Sequence, residues 1–117
     1  MSFQPEPRVD YRDAVGIVSL TGELDVLQAH ALRNRLLGAV RNEDMGLVVD
    51  VSEATYIDSV GVSLLFELAE RLAERQLRLA VVLPEKGLVG RVLTIVNLSS
   101  VAAVERSGDD ALAAIES

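Results

Sequence analysis

The sequence contains no cysteine and a single histidine, His30. Without thiols the chain can form no disulfide, thiolate metal site or cysteine nucleophile, and one imidazole cannot build a histidine-rich zinc cluster. Aromatic residues are equally scarce, because two tyrosines and two phenylalanines make up 3% of the chain. Such a set is too small for a platform that stacks nucleic-acid bases. We therefore expect no metal, no cofactor and no base-stacking surface.

Long apolar runs and an excess of positive charge are also missing. The longest weakly polar stretch, 92–104, is far shorter than the roughly 20 residues that span a bilayer. The 11 basic and 18 acidic residues give a formal net charge of −7, which repels nucleic-acid phosphates and anionic lipids. The start, MSFQPEPRVD, has two prolines and early charges where a signal peptide needs an apolar run. We expect a cytoplasmic protein that binds neither nucleic acid nor membrane.

The residues that are present suffice for one domain, since half of the 117 are hydrophobic. Alternating apolar patterns of strands and helices follow each other along the chain, after a loose arm at 1–8. Parallel pairing through right-handed crossovers, with an opening hairpin near Asp13, then predicts one α/β domain. Its mixed sheet should have about four to five strands, packed by four to five α-helices. The predicted order is β-β-α-β-α-β-α-β-α.

The predicted boundaries follow from turn and capping signals. Thr21 and Gly22 should end the second strand, and the polar stretch 52–57 should be a connection. Apolar stripes on the first two helices predict their buried faces. The predicted strands cover 8–13, 14–20, 47–51, 77–83 and 102–105, and the helices run from the Asp25 cap to about Arg41, from Ser59 to Arg75, from Pro84 to at least Val96, and onward from the Ser107 cap. The stripes are Ala29, Leu32, Leu36 and Val40 on the first helix and Gly61, Leu65, Leu68 and Leu72 on the second.

The segment Tyr56-Ile57-Asp58-Ser59-Val60-Gly61 leads directly into the second predicted helix. Asp58 suits the N-cap position, which places Ser59 at the first helical position beside backbone N–H groups without helical partners. A phosphate on Ser59 would be stabilised by the helix dipole, and Gly61 would let another backbone approach closely. The alternative is that Asp58 and Ser59 only cap the helix and that Gly61 only eases packing.

Catalysis by Ser59 has little support in the sequence. The single potential base, His30, lies on another predicted helix, and no GxSxG nucleophile elbow surrounds the serine. No GxxxxGK[ST] phosphate-binding loop occurs either, so a nucleotide-hydrolysing P-loop is excluded. A second notable segment, Thr21-Gly22-Glu23-Leu24-Asp25, joins a strand to a helix N-terminus and, on its own, reads as a turn plus cap. We predict a protein that is not an enzyme.

Both segments together resemble one family in the right order, the anti-sigma factor antagonists built on the STAS domain. Thr21-Gly22-Glu23-Leu24-Asp25 is similar to that family's early TGELD-type turn, and Asp58-Ser59-Val60-Gly61 is similar to its DSxG phosphorylation motif. The resemblance extends across nearly the whole chain. Where many relatives have Ser or Thr after the phosphoacceptor and often Leu-Gly after the motif's glycine, this chain has Val60 and Val62-Ser63.

The resemblance implies a function by partner switching. In the family, the serine after the aspartate, here Ser59, is phosphorylated by an anti-sigma factor that is itself an ATP-dependent serine/threonine kinase. The unphosphorylated antagonist binds that anti-sigma factor and releases the sigma factor, and a PP2C-type phosphatase would restore binding. The implied partner-binding residues are Gly22, Glu23, Asp25, Asp58, Val62, Ser63, Phe66 and Glu70.

Helical spacing supports part of this set. Ser59 lies three and four residues before Val62 and Ser63, these lie four and three before Phe66, and Glu70 lies four after it, beside the face predicted to be buried. Phe66 is then either the apolar anchor for a partner or a residue that borders the core.

Two other functions stay open. A receiver-like domain has similar length and alternation, with Asp50 as a candidate phosphoacceptor, but its magnesium pocket needs clustered carboxylates that the second strand does not end in. A STAS subunit of a transporter ATPase or of a stress-signalling complex would share the fold and differ in its partner.

Overall fold

The computed structural model describes residues 7–117. Most of the predicted N-terminal arm lies outside these residues. Its boundary at residue 8 is too late, because Arg8 already pairs with Ser19 in the first strand.

The described residues form five strands and four α-helices in the predicted order. A short 3-10 helix, Leu98–Ser100, follows the third helix. The strands are β1 (Arg8–Arg12), β2 (Val15–Leu24), β3 (Gly46–Ile57), β4 (Arg78–Val82) and β5 (Ala103–Glu105), and the helices are α1 (Val26–Gly38), α2 (Ser59–Glu74), α3 (Leu88–Ile95) and α4 (Gly108–Glu116).

The strands lie in one mixed sheet in the sequential order β1-β2-β3-β4-β5. β1 and β2 form the antiparallel hairpin, turning at Asp13 with φ 50°, and every later pairing is parallel. One face of the sheet packs against α1, α2 and α3 in the larger core, and the other packs against α4 through Ala111 and Ile115. This α/β architecture confirms the predicted fold class.

The buried stripes explain why α1 and α2 lie where they do. Ala29, Leu32 and Leu36 are buried on α1, as are Gly61, Leu65, Leu68 and Leu72 on α2, and Val40 is half-buried beyond the end of α1. A salt bridge of 3.0 Å from Arg33 Nε to Glu67 Oε2 joins the two helices at their half-exposed edge. These contacts fix the two helices side by side on the sheet.

Two predicted strand ends are wrong. β2 continues through Thr21 and Gly22 to Leu24, because register shifts between Ser19 and Thr21 and between Gly22 and Glu23 absorb the turn-forming residues as irregularities within the strand. The stretch 52–57 is the second half of β3 and pairs with β2 alone, since β4 stops opposite Asp50. A strand with one neighbour tolerates the polar residues that suggested a loop.

Two predicted helix boundaries are also wrong. α1 ends at Gly38 rather than near Arg41. α3 begins at Leu88 rather than at Pro84, because Gly87 adopts φ 102° at the N-cap and Leu83 N–H is still bonded to Glu105 O at 3.0 Å. α4 begins as predicted, with the Ser107 hydroxyl accepting from Asp110 N–H at 3.1 Å. Within residues 7–117, no helix is both long and apolar enough to cross a membrane.

Candidate functional site

The far ends of β2 and β3 bring the two motif segments together. Parallel pairing sets Glu23 beside Tyr56 and Leu24 beside Ile57. Immediately beyond, Asp58 N–H donates to Leu24 O at 3.3 Å. The N-termini of α1 and α2 therefore start next to each other, at the same edge of the sheet.

The Asp58 carboxylate joins these two helix starts. Oδ1 accepts from Gly61 N–H at 2.9 Å, which caps α2, and Oδ2 accepts from Val26 N–H at 3.0 Å in the first turn of α1. Hydrogen bonds from Gly61 and Val26 to the charged form outweigh partial desolvation and hold the pKa of Asp58 below its usual value. Asp58 is thus an ionised clamp between the helices and not only the cap of one.

The residues that lead from β2 into α1 lie beside this clamp. Asp25 caps α1 as predicted, with Oδ1 accepting from Leu27 and Gln28 N–H at 3.1 and 3.3 Å. Gly22 has φ 78°, a conformation that favours glycine, and Glu23 beside it is exposed.

Ser59 occupies the first position of α2 and is exposed. In the part of the chain that the structure describes, its hydroxyl forms no hydrogen bond. The side chain therefore presents a free hydroxyl at the positive end of a 16-residue helix. A group attached there would remain in solvent, close to helical N–H groups.

Gly61 sets how closely α2 approaches β2. A Cβ at this position would lie 2.2 Å from Leu24 O and 2.8 Å from Ile57 Cγ1. Only a residue without a side chain lets the first turn of α2 pack on the end of β2. This contact requires Gly61 and confirms the prediction that another backbone approaches closely here, and the same contact positions Ser59.

The predicted stripe along α2 divides into two environments. Ser59, Ser63 and Glu70 are exposed. Val62 and Phe66 are half-buried and pack against the larger core. Phe66 borders the core while leaving part of its ring accessible, and a contact with a partner stays a prediction.

Sequence reasoning missed a cluster of exposed apolar residues around Ser59. Leu27 is 83% exposed, Val26 59% and Tyr56 45%, and Val60 follows the serine directly. We call these four residues the apolar rim. The available signal was Leu27, which lies two positions before Ala29 and so on the opposite side of α1 from its buried stripe.

The receiver-like alternative fails on topology and on the site. The sheet has sequential order with an antiparallel first strand, whereas the receiver arrangement places the first strand between the second and third. Asp50 lies within β3, where its Oδ1 accepts from Ser52 N–H. The described residues hold no group of three His, Cys, Asp or Glu side chains that could bind a metal. His30 is exposed on α1, away from the stripe that packs on the core.

Comparison with known proteins agrees with this geometry. The anti-sigma-F factor antagonist RsfB of Mycobacterium tuberculosis is 29% identical over 62 residues, which are 53% of this chain and about half, 51%, of that protein. An anti-sigma factor antagonist from Mycobacterium paratuberculosis has 28% identity and a TM-score of 0.83, with 96% of this chain and 94% of that one covered. A sulfate transporter family protein from Wolinella succinogenes shares the fold, with 20% identity, a TM-score of 0.71 and coverage of 88% and 85%.

The family model described as "Mlab, STAS domain" matches residues 8–112, from the first strand into the last helix. The match includes both segments that meet at the clamp of Asp58. The chain belongs to the STAS domain family.

Proposed function

We propose that this protein is an anti-sigma factor antagonist whose binding is switched off by phosphorylation of Ser59. The observation that carries the proposal is the free Ser59 hydroxyl, which is exposed beside the apolar rim. In this role the protein acts in the cytoplasm by binding and not by catalysis. The similarity to two mycobacterial antagonists supports the choice of partner class.

The unphosphorylated surface suits a protein partner. Leu27 and Val26 at the start of α1, with Tyr56 and Val60 beside the serine, expose apolar area that a partner can cover. Glu23 and Glu70 are exposed and Asp25 is half-buried, and their carboxylates can pair with cations of the partner. Val62, Ser63 and Phe66 extend the contact along α2.

Phosphorylation changes the charge at the centre of this surface. The Ser59 oxygen attacks the γ-phosphorus of ATP, the bond to the bridging oxygen breaks, ADP leaves, and a base of the kinase takes the hydroxyl proton. The phosphate adds about −1.5 to −2 charges. In the free protein the N-terminus of α2 accommodates that charge. In the complex it would have to lose water against the partner, and a penalty of about 3 kcal/mol weakens binding roughly a hundredfold.

Reactivation requires only hydrolysis of the phosphoester by water, in a phosphatase of the PP2C type. The Ser59 hydroxyl is regenerated and inorganic phosphate leaves. Since the hydroxyl is exposed at a helix end, both enzymes can reach it without unfolding of the domain.

The direct test is phosphorylation by the anti-sigma factor kinase with ATP, followed by mass spectrometry. We expect one phosphate, on Ser59, and none on Ser59→Ala. Modification of Ser52, Ser63 or Ser100 with Ser59 unmodified would contradict the assignment. Affinity capture from the host with wild type and Ser59→Ala tests the partner. Recovery of a transporter ATPase or a stress-signalling complex without an anti-sigma factor would favour the other STAS role.

A further inference from the structure

The proposed switch does not use a second surface, which lies near β4 and β5, at the opposite edge of the sheet from β1. An open groove of about 670 Å³ lies between the start of α3 and the exit of β5. Leu83 and Pro84 line it after β4, Arg91 and Ile95 line it from α3, and Arg106 lines it after β5. We call this surface the α3 groove.

The α3 groove is basic although the protein is acidic. Three of the chain's 11 basic residues, Lys86, Arg91 and Arg106, line it, together with the single carboxylate of Glu85. All three are exposed, and among residues 7–117 none of them pairs with a carboxylate. A cluster of unpaired cations on a chain of net charge −7 concentrates positive potential at one place.

Apolar side chains flank the same cations. On α3, Val89 and Leu93 are buried in the core, yet Leu88 is 59% exposed and Ile95 80% exposed. Leu88, Arg91 and Ile95 are three and four residues apart, so they follow one line along the outer face of the helix. The exposed face therefore alternates apolar, cationic and apolar contacts.

We infer that the α3 groove docks an acidic segment of a partner protein that carries at least one apolar side chain. Carboxylates of the segment would meet Arg91, Arg106 and Lys86, and its apolar side chain would cover Ile95. A small free anion would use the cations but would leave the apolar residues of α3 uncovered. The surface is separate from Ser59, so the inference does not rest on the proposed switch.

The test uses a library of random 12-residue peptides displayed on phage and selected on the full chain. Peptides that combine several Asp or Glu residues with an aromatic or aliphatic residue should be enriched on wild type. They should also be enriched on the control Arg12→Glu, which makes the same charge change on the exposed β1. Enrichment should be lost on Arg91→Glu and reduced on Ile95→Ser.

Titration of one selected peptide gives the quantitative result. Arg91→Glu should weaken binding by about tenfold or more, whereas Arg12→Glu should leave it within about twofold. Thermal melts should show Arg91→Glu and Ile95→Ser folded, because Arg91 and Ile95 are exposed.

Several outcomes would overturn the inference. One is selection of peptides without an acidic excess. Another is binding of the selected peptide by Arg91→Glu and Ile95→Ser as tight as its binding by wild type. Displacement of the peptide by millimolar inorganic phosphate, with affinity for phosphate itself unaffected by Ile95→Ser, would assign the groove to a small anion. A dimer in sedimentation that Ile95→Ser dissociates would assign it to a second copy of the chain.

Discussion

Asp58 shows how one side chain can serve two elements. Each carboxylate oxygen accepts a backbone N–H from a different helix, Gly61 in α2 and Val26 in α1. The two bonds orient the turn that carries Ser59, and they also hold Val26 and Leu27 of the apolar rim next to it. Ser59, the proposed phosphoacceptor, and the apolar rim are therefore positioned by the same residue.

Replacing Asp58 should lower stability in two steps. Asp58→Asn keeps one amide oxygen as an acceptor, so it can cap one helix, while Asp58→Ala caps neither. Melting temperatures at pH 7 should fall in the order wild type, Asn, Ala. Equal melting temperatures for Asn and wild type would contradict the double clamp. Phosphorylation of Ser59 by the kinase should be slower in both variants.

The contribution of Asp58 should also depend on pH. Because its pKa is lowered in the folded protein, the charged form stabilises the fold above the unfolded value of about 3.9, and this stabilisation is lost as pH falls through the folded pKa. The difference in melting temperature between wild type and Asp58→Asn should therefore be constant from pH 7 to 5 and shrink below pH 4. A difference that grows on acidification would be inconsistent with this sign.

At the scale of elements, close packing on β2 determines the position of the first turn of α2. Gly61→Ala introduces a Cβ that cannot avoid Leu24 O, so the helix must move away from the strand. We expect a loss of about 1–3 kcal/mol in the free energy of unfolding, as for other overpacked sites. Gly38→Ala is the matched control, because its Cβ meets nothing within 4 Å. That variant should gain about 0.5–1 kcal/mol. Urea titrations of both variants would contradict this if the two changes had the same sign.

The helices and strands could be predicted where the spacing of apolar residues determines the structure. The stripes of α1 and α2 and the hairpin at Asp13 follow from local patterns that the fold did not override. The ends of β2 and β3 could not be predicted in this way, because Thr21 and Gly22 carry turn signals and 52–57 is polar. Their extension depends on the pairing of two strands that are distant in sequence, which no local pattern contains.

The site was predictable to a similar extent. Capping signals placed Asp58 and Asp25 at helix N-caps and Ser59 at the first helical position, where the structure has them, since a cap depends on neighbours in the chain. The bond from Val26 N–H to Asp58 joins residues 32 apart. The apolar rim likewise joins residues of β3, α1 and α2, and their meeting at one place needs the tertiary structure.

At the scale of the whole molecule, a second clamp lies far from Ser59. Asp44, with a side chain 1% exposed, accepts from Arg41 through its backbone N–H at 2.7 Å and its guanidinium at 2.9 Å. Burial alone would raise the pKa of Asp44, but the bonds from Arg41 outweigh it and lower the pKa. The Cζ of Arg41 also lies 3.9 Å from the Tyr11 ring centroid, and its guanidinium donates to Asp13 O. This cluster therefore joins the segments that precede β2 and β3.

The 12 residues of β3 span roughly 36 Å and separate Asp44 from Ser59. A change at Asp44 should therefore alter stability without altering partner binding. Asp44→Asn removes charge-assisted bonds and should cost about 2 kcal/mol in the free energy of unfolding. Its affinity for the partner should be unchanged, because Asp44 precedes β3 and Ser59 follows it. Calorimetric melts and titration check the two quantities. Weaker binding by a fully folded Asp44→Asn protein would mean that the two ends are coupled.

The most direct measurement is isothermal calorimetric titration of the anti-sigma factor with Ser59→Asp, paired with a thermal melt of the same variant. A carboxylate at the first position of α2 faces the positive helix end, so the melting temperature should hold or rise slightly. Affinity should fall by about tenfold or more, while Ser59→Ala and the remote charge control Ser99→Asp bind like wild type. A folded Ser59→Asp protein that binds as tightly as wild type would contradict electrostatic exclusion at this helix end.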